Sequence, residues 1–191
     1  VDGSYRAVPD VIVSDDPHRL RLAELLAPLE PESCCEIGCS DGANLSMLAS
    51  RHPACVLSGI DLNRHALRVA AHRVRAVGGS VGVMRRGAAS HVPLATGAVD
   101  VALSDAVFMY LTPANARLAV REMRRVARRA IFIHTFSDDG LAEGQLVDGN
   151  WVHPVGRILA EVLPSARVHR ERSPLVVGRW GQFGTIFEVT W

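Results

Sequence analysis

A short apolar run that ends in a carboxylate and a glycine-containing turn constrains the fold of this chain more than any other feature. It covers residues 33–45, Ser-Cys-Cys-Glu-Ile-Gly-Cys-Ser-Asp-Gly-Ala-Asn-Leu, and a helical pattern follows it. Gly38 and Gly42 permit a sharp turn and a close approach of the backbone to a ligand, which a Cβ would prevent. The unpaired N–H groups of the following helix face the same place. The segment therefore predicts a strand, a tight loop and a helix start that hold a nucleotide-like ligand.

The glycine spacing distinguishes two kinds of nucleotide-binding loop. A dinucleotide fingerprint G-x-G-x-x-G beginning at Gly38 would need glycine at Ser40 and glycine or alanine at Ala43, so only two of its three positions match. The pattern [DE]-x-G-x-G-x-G falls on Glu36, Gly38, Ser40 and Gly42 and misses only its middle glycine. That pattern is typical of class I S-adenosylmethionine (SAM)-dependent methyltransferases, and the chain resembles this family.

The resemblance continues at the end of the second apolar run, residues 55–60. The family places an acidic residue there, and the resemblance implies that Asp61 takes both ribose hydroxyls. An ionised carboxylate suits this role because it only accepts hydrogen bonds and can accept from two adjacent O–H groups. Helix capping is the alternative role for Asp61. The resemblance also implies that Leu62 lies against the adenine face.

The stretch 87–105 is similar to the family's G-D-A-x-x-L-P-F-x-x-x-x-F-D-x-V-x-S segment. Pro93, Asp100 and Ser104 fall in register. The family's acidic residue after the glycine is replaced by Ala88, so the adenine is expected to rely on backbone groups near Ala89 and on apolar packing. The likeness covers roughly residues 32–136. The complete set of cofactor-binding residues that it implies is Glu36, Gly38, Cys39, Ser40, Gly42, Asp61, Leu62, Ala88, Ala89 and Ser104.

The candidate catalytic residues are Asp105, Tyr110 and His134. Methyl transfer from a sulfonium is an in-line displacement in which the protein mainly aligns the reacting atoms, so few catalytic groups are needed. Ser104 and Asp105 end the fourth predicted strand and meet the cofactor ammonium or the substrate, or else cap the next turn. Met109 and Tyr110 either wall the substrate pocket or pack. His134 is the candidate general base because imidazole titrates near neutral pH, the alternative being a structural histidine.

Four further assignments concern Glu36 and the loops, and two of them leave an alternative open. Glu36 orients the cofactor through its loop or its ammonium, or only braces the loop. The polar, glycine-rich stretch 138–150 predicts a mobile lid within residues 136–152. Trp151 and His153 follow it and either close over an acceptor or pack on a helix. His91 is interpreted as structural.

The order of the elements predicts an α/β fold: a single-domain, Rossmann-like, doubly wound sheet of about seven strands over residues 1–191. The strands are mostly parallel, because helical and β-rich runs alternate, with an antiparallel C-terminal edge strand. An N-terminal helical segment lies within residues 1–30. The predicted helices cover residues 15–28, 63–77, 113–127 and 151–163, and residues 166–172 and 183–191 form a hairpin with only a turn-rich link.

Composition limits the classes of partner and compartment. The formal charge of the 191 residues is +1, so neither nucleic acid nor an anionic membrane is expected as a partner. All 21 basic residues are arginine. The four cysteines are interpreted as buried free thiols rather than metal ligands, which suits the cytoplasm. No stretch resembles a signal peptide or approaches the about 20 apolar residues of a membrane span.

The resulting hypothesis is SAM-dependent transfer of a methyl group to an oxygen or nitrogen of a small molecule, such as a bacterial secondary metabolite, with S-adenosylhomocysteine (SAH) as product. The main alternative is a SAM- or SAH-binding regulator or partner subunit that transfers no methyl group, since Ala88 replaces the family's acidic residue, and Met109 and Tyr110 replace the two histidines of its V-L-H-H-L-x-P segment. Methylation of RNA or protein is a third possibility. The sequence leaves the acceptor and the oligomeric state open.

Overall fold

A computed structural model describes residues 16–191 of the chain and shows one seven-stranded sheet with helices on both faces. The strands are β1 (Ser33–Ile37), β2 (Val56–Asp61), β3 (Ser80–Arg86), β4 (Val99–Asp105), β5 (Ala127–Phe136), β6 (Gln145–Val147), β7 (Asn150–Val152), β8 (Arg167–Arg172) and β9 (Gly184–Thr190). The α-helices are α1 (Pro17–Leu26), α2 (Ala43–Arg51), α3 (Arg64–Ala76), α4 (Pro113–Val126), α5 (Val155–Val162) and α6 (Gly178–Phe183).

The sheet has the strand order β3-β2-β1-β4-β5-β9-β8. The first five strands are parallel, and β9 pairs antiparallel with both β5 and β8. The predicted α/β class, the seven strands and the antiparallel C-terminal strand are confirmed, and β8 lies outside β9 at the edge. The order reverses between β1 and β4, which is where open α/β sheets place their ligands.

Two hydrophobic cores cover the two faces of the sheet. Residues on β4 alternate between them: Ala102 belongs to the core under α4 and α5, and Leu103 belongs to the core under α1, α2 and α3. Strand side chains alternate between faces, so a strand buried on both sides must be apolar throughout. This explains why the centre of β4, residues 101–103, is apolar without alternation, whereas its polar residues lie towards the two ends of the strand.

The C-terminal third differs from the predicted elements. The helix predicted over 151–163 begins only at Val155, and Trp151 lies on β7, which pairs with β6 in a small hairpin. Asp148 and Gly149 close this hairpin with φ of 45° and 83°. An Asp-Gly pair favours this tight turn because both central residues need positive φ. The link between β8 and β9 contains the short helix α6, so the prediction of a turn-rich link alone was wrong.

The remaining local predictions agree with the structure. The N-terminal helix continues from α1 into a 3-10 turn at Ala27–Leu29, and Asp15 of the predicted range lies outside the described residues. The four cysteines are buried free thiols, as predicted. In the described part of the chain, none of the helices combines the length and apolarity that a membrane crossing requires.

Asp100 joins the amino ends of three neighbouring strands. Its Oδ2 accepts the backbone N–H groups of Glu32 at 2.9 Å and Ser33 at 3.2 Å, and its Oδ1 accepts from Arg128 Nη2 at 2.7 Å. The side chain is 10% exposed. The Asp100 carboxylate therefore fixes the start of β1 against β4 and β5.

We expect Asp100→Ala to lower the free energy of unfolding by about 2–3 kcal/mol, because two backbone N–H groups and Arg128 lose a largely buried charged acceptor. Urea unfolding measures the change. Asp138→Ala is the control, since within residues 16–191 the Asp138 carboxylate accepts only the exposed N–H of Gly140, and it should cost under about 1 kcal/mol. Equal costs for the two variants would contradict the proposed role of Asp100.

Candidate active site

A cavity of about 700 Å³ opens at the carboxyl ends of β1, β2 and β4, where the strand order reverses. This volume is within the range of small-molecule sites. Most of the residues predicted from sequence line it: Glu36, Gly38, Cys39, Ser40, Asp61, Leu62, Ala88, Ala89, Asp105 and Tyr110. Gly42, Ser104 and His134 are not among its lining residues.

The loop between β1 and α2 has the unusual backbone that its glycines predict. Gly38 and Gly42 both have φ of 81°, and Ser40, at the position of the missing middle glycine, has φ of 47°. A Cβ on Gly42 would lie 2.6 Å from Cα of Ala70 in α3. A Cβ on Gly38 would collide with the side chain of Val107, which follows β4. Gly42 is thus required for the packing of α2 on α3, whereas Gly38 faces the cavity.

Asp61 lies at the end of β2 and connects two loops. Its Oδ2 accepts the N–H of Ser40 and its Oδ1 accepts the N–H of Asn63, both at 2.8 Å. The N-cap of α3 is Asn63, whose side chain accepts from the N–H groups of His65 and Ala66. Asp61 therefore does not cap the helix, and each of its oxygens keeps lone pairs for further donors from the cavity.

The opposite wall of the cavity carries the residues predicted for adenine. Ala88 and Ala89 belong to a tight turn in which the N–H of His91 donates to the carbonyl of Ala88 at 3.0 Å. Leu62 is 65% exposed at the cavity edge. Leu62, Ala88 and Ala89 offer apolar contact at this wall.

A cluster of polar side chains closes the other end of the cavity. The amide of Asn44, in the first turn of α2, donates to Glu36 Oε1 at 2.6 Å and to Asp105 Oδ2 at 2.9 Å. Arg19 Nε of α1 donates to Asn44 Oδ1 at 2.9 Å. All four residues line the cavity. Neither Asn44 nor Arg19 was predicted from the sequence, because neither follows a motif and their partners are distant in the chain.

Glu36 is the most constrained member of this cluster. It is 2% exposed, and its Oε2 has no hydrogen-bond partner in the described part of the protein. Burial raises the pKa of Glu36 to about 8, and the nearby Asp105 adds to this, while the hydrogen bond from Asn44 and the charge of Arg19 oppose it. At neutral pH the carboxyl group is therefore largely protonated.

Asp105 is held from the other side by two histidines. His134 Nδ1 lies 2.6 Å from Asp105 Oδ1, and His18 Nε2 of α1 lies 3.3 Å from Asp105 Oδ2. Burial alone would raise the pKa of Asp105, but hydrogen bonds from His134 and His18 outweigh it and hold the pKa well below its usual range. Asp105 is thus ionised, and an ionised carboxylate only accepts, so both histidines donate to it.

His134 itself does not reach the cavity. The ring is fully buried, its Nε2 lies 2.8 Å from Ser173 Oγ, and Trp180 of α6 stacks on it at 4.4 Å between ring centroids. Both ring nitrogens have partners inside the protein. The geometry therefore gives no support to the general-base hypothesis, and it connects His134 to the cavity only through Asp105.

The three side chains of His18, Asp105 and His134 lie close enough to suggest metal ligands, with donor atoms within 4.8 Å of one another. The 2.6 Å separation of His134 Nδ1 and Asp105 Oδ1 is that of a hydrogen bond. It leaves no room for a cation between these two atoms. A hydrogen-bonded network accounts for the cluster.

The other predicted residues take separate positions. Tyr110 is 71% exposed at the cavity rim, in a 3-10 turn at Phe108–Tyr110. Met109 is buried in a small third core with Phe136 and Val152, so packing is the interpretation that the structure favours for it. Ser104 is fully buried and does not line the cavity.

His153 supports the turn that carries Tyr110. Its Nε2 lies 3.1 Å from both the carbonyl of Phe108 and that of Leu111. Burial lowers the pKa of His153, so the ring is neutral and donates through Nε2. Trp151 stacks on this ring at 5.9 Å between centroids.

The segment predicted as a lid is fastened to the rest of the protein by several hydrogen bonds. Arg179 of α6 donates to the carbonyls of Val147 and Asp148 in the hairpin, and Arg157 of α5 donates to the carbonyl of Leu141. The backbone N–H of Asp138 also donates to the carbonyl of His153. The lid remains a prediction, and these bonds are what its opening would have to break.

Comparison with known proteins identifies the family. A family model described as a methyltransferase domain matches residues 35–130, which is half of the chain. No curated protein matches the sequence.

Solved structures share the whole fold. The methyltransferase domain of bacterial CtHen1-C has a TM-score of 0.69 at 12% identity, over 91% of this chain and 96% of that one. A SAM-dependent methyltransferase from Aquifex aeolicus has a TM-score of 0.61 at 19% identity, over 93% and 95%. Magnesium protoporphyrin IX methyltransferase (ChlM) from Synechocystis PCC 6803, solved with SAH, has a TM-score of 0.68 at 14% identity, over 90% and 81%. Together with the family match and the strand order, these similarities show that the chain belongs to the class I SAM-dependent methyltransferases.

Proposed function

We propose that this enzyme transfers the methyl group of SAM to an oxygen or nitrogen of a small molecule bound between Asp105 and Tyr110. The observation that carries the proposal is the single cavity that contains both the glycine loop with Asp61 and the polar cluster of Glu36 and Asp105. The bound cofactor supplies an activated methyl group, and the chain supplies alignment.

The residues of the cavity fit the parts of SAM. Asp61 keeps acceptor lone pairs for the two ribose hydroxyls, and Leu62, Ala88 and Ala89 provide apolar contact for adenine. The unpartnered Oε2 of Glu36 supports an ammonium site, because a buried carboxyl oxygen without a donor is costly. SAM is therefore expected to lie with its amino-acid end towards β1 and α1.

The amino-acid end also requires a positive group for its carboxylate. Arg19 lines the cavity and reaches Asn44, whose amide contacts Glu36. A cation and a carboxyl group on opposite sides of one amide match the opposite charges of an α-amino acid. We infer that Arg19 and Glu36 together hold this end of the cofactor.

Asp105 has the properties of an orienting acceptor rather than of a base. Its carboxylate lines the cavity, while its low pKa makes proton abstraction from an alcohol or amine unfavourable. It can accept a hydrogen bond from the O–H or N–H of the acceptor and so turn the nucleophilic lone pair to the methyl group. His18 and His134 position Asp105 from behind, because both donate to it and neither lines the cavity.

The rim of the cavity favours a small acceptor without strong negative charge. Near Asp105 it is formed by Ala106, Val107, Tyr110, Leu111 and Asn115. Beyond Arg19, which contacts Asn44, the lining in the described part of the chain includes no cation. The formal charge of +1 gives no long-range attraction for a polyanion.

We expect Asp61→Ala to weaken SAM binding by about tenfold to hundredfold, since it removes a charge-assisted acceptor for two hydroxyls. Isothermal titration calorimetry measures this. Asp148→Asn, in the exposed hairpin turn, is the matched control and should bind SAM as the unmodified protein does. Equal affinities for all three proteins would remove Asp61 from the ribose site.

We expect Tyr110→Ala to raise the acceptor KM at least about tenfold while leaving SAM affinity unchanged, because the ring walls only the acceptor side. Tyr110→Phe keeps the ring and should retain most of the activity. Mass spectrometry of a panel of small alcohols, phenols and amines incubated with SAM finds the acceptor. Methylation of RNA or protein, without methylation of any compound in this panel, would refute the small-molecule assignment. Absence of any methylated product would favour the alternative of a SAM- or SAH-binding regulator.

A further inference from the structure

The carboxyl group of Glu36 has one satisfied oxygen and one buried oxygen without a partner. Oε1 accepts from the Asn44 amide at 2.6 Å, and Oε2 has no donor within residues 16–191. Since the residue is 2% exposed, bulk water does not solvate Oε2. A buried carboxylate with an unsolvated oxygen is far less stable than the neutral acid in the same place.

The carboxylates around Glu36 disfavour its ionisation, and one nearby cation opposes them. Asp105 of β4 shares the Asn44 amide with it, and Asp61 of β2 is a second nearby carboxylate. Arg19 of α1 is the opposing cation, and it donates to Asn44 and pairs with Asp16. His18, also on α1, lies against Asp105. Within β1 and its loop, the neighbouring thiols of Cys35 and Cys39 are neutral, since burial raises their pKa values.

We propose that Glu36 is a specificity-determining residue that stays a neutral carboxylic acid in the empty cavity and releases its proton to solvent when a ligand brings an ammonium group to Oε2. This inference rests on the proposed cofactor site. The exchange is balanced: the O–H bond of the acid breaks, the proton passes to the buffer, and the carboxylate pairs with the ammonium of the ligand. Ligands with an amino-acid end therefore release a proton from Glu36 on binding, whereas adenosine-like ligands without such an end do not.

The pH dependence of binding follows from this exchange. The pKa of Glu36 in the empty protein is raised to about 8 by burial, so the ionised form that binds the ammonium becomes about tenfold rarer with each pH unit below this value. Affinity for an ammonium ligand should thus rise about tenfold per pH unit between pH 5.5 and 7.5. At pH 7, binding should release most of one proton.

The experiment is calorimetric titration of the unmodified protein with SAH at pH 7 in phosphate and in Tris, two buffers with different ionisation enthalpies. The difference in observed enthalpy gives the number of protons released. 5′-Methylthioadenosine, which has the adenosine part and no ammonium, is the matched ligand and should release none. Repeating both titrations from pH 5.5 to 7.5 should give a steep dependence for SAH and a flat one for 5′-methylthioadenosine.

Glu36→Gln keeps the shape of the side chain and removes its proton exchange. It should abolish proton release with SAH and flatten the pH dependence, whereas Glu161→Gln, exposed on α5, should leave both as they are. SAH binding without proton release, or equal release with 5′-methylthioadenosine, would overturn the inference while leaving the cofactor site intact. No binding of SAH or SAM at any pH would instead refute the proposed function.

Thermal unfolding provides a readout that needs no ligand. A carboxyl group whose pKa is raised on folding stabilises the protein fully below its unfolded value, and this stability is lost as pH rises towards the folded value. The Glu36→Gln variant does not lose stability in this way as pH rises, because its amide does not ionise. It should therefore unfold at a higher temperature than the unmodified protein at pH 8, and the gap should be smaller at pH 4. A gap independent of pH would contradict a neutral Glu36, and the unmodified protein with its two ligands decides the question even if the variant does not fold.

Discussion

The two hydrogen bonds from the amide of Asn44 hold the active site together. One amide nitrogen joins the carboxyl groups of Glu36 and Asp105, which end adjacent strands β1 and β4, and its oxygen receives Arg19 from α1. Two carboxyl groups at this separation would repel each other if both were ionised. The arrangement is stable because their environments shift their pKa values in opposite directions. Asp105 accepts hydrogen bonds from two histidines, whereas Glu36 accepts from none.

This difference in pKa gives the two adjacent carboxyl groups different roles. The ionised Asp105 presents an acceptor to a neutral nucleophile, and the protonated Glu36 awaits a cation. Burial raises the pKa of both residues, and the hydrogen bonds and charges of His134 and His18 lower that of Asp105 only. The same principle separates acid and base roles wherever titratable pairs share a pocket.

The sequence predicted those parts of the site that depend on local geometry. Glu36, Asp61 and Asp105 each end a parallel strand, and such ends meet at one edge of the sheet, so their common location follows from alternation of strands and helices. Asn44 meets Asp105 across 61 residues of chain, and no periodicity records such a contact. The burial of His134 depends likewise on Ser173 and Trp180.

The incorrect prediction for the hairpin region had a signal in the sequence that could have corrected it. Asp148-Gly149 is a common hairpin turn, but it lies in a polar stretch that also fits a loop, and the apolar spacing of Trp151 fits a strand or a helix. Ser40 shows the opposite case: a residue with a Cβ occupies a backbone region that the family pattern assigns to glycine, at an energetic cost that the surrounding loop sustains.

The bonds from His153 to the carbonyls of Phe108 and Leu111 have a consequence for how such an enzyme diversifies. They connect the hairpin side of the molecule to the turn that carries Tyr110, and they involve none of the residues proposed to hold ribose or adenine. Insertions or exchanges in the hairpin can therefore reshape the acceptor wall while the donor half stays constant. In this architecture a new acceptor can evolve while the methyl donor stays the same.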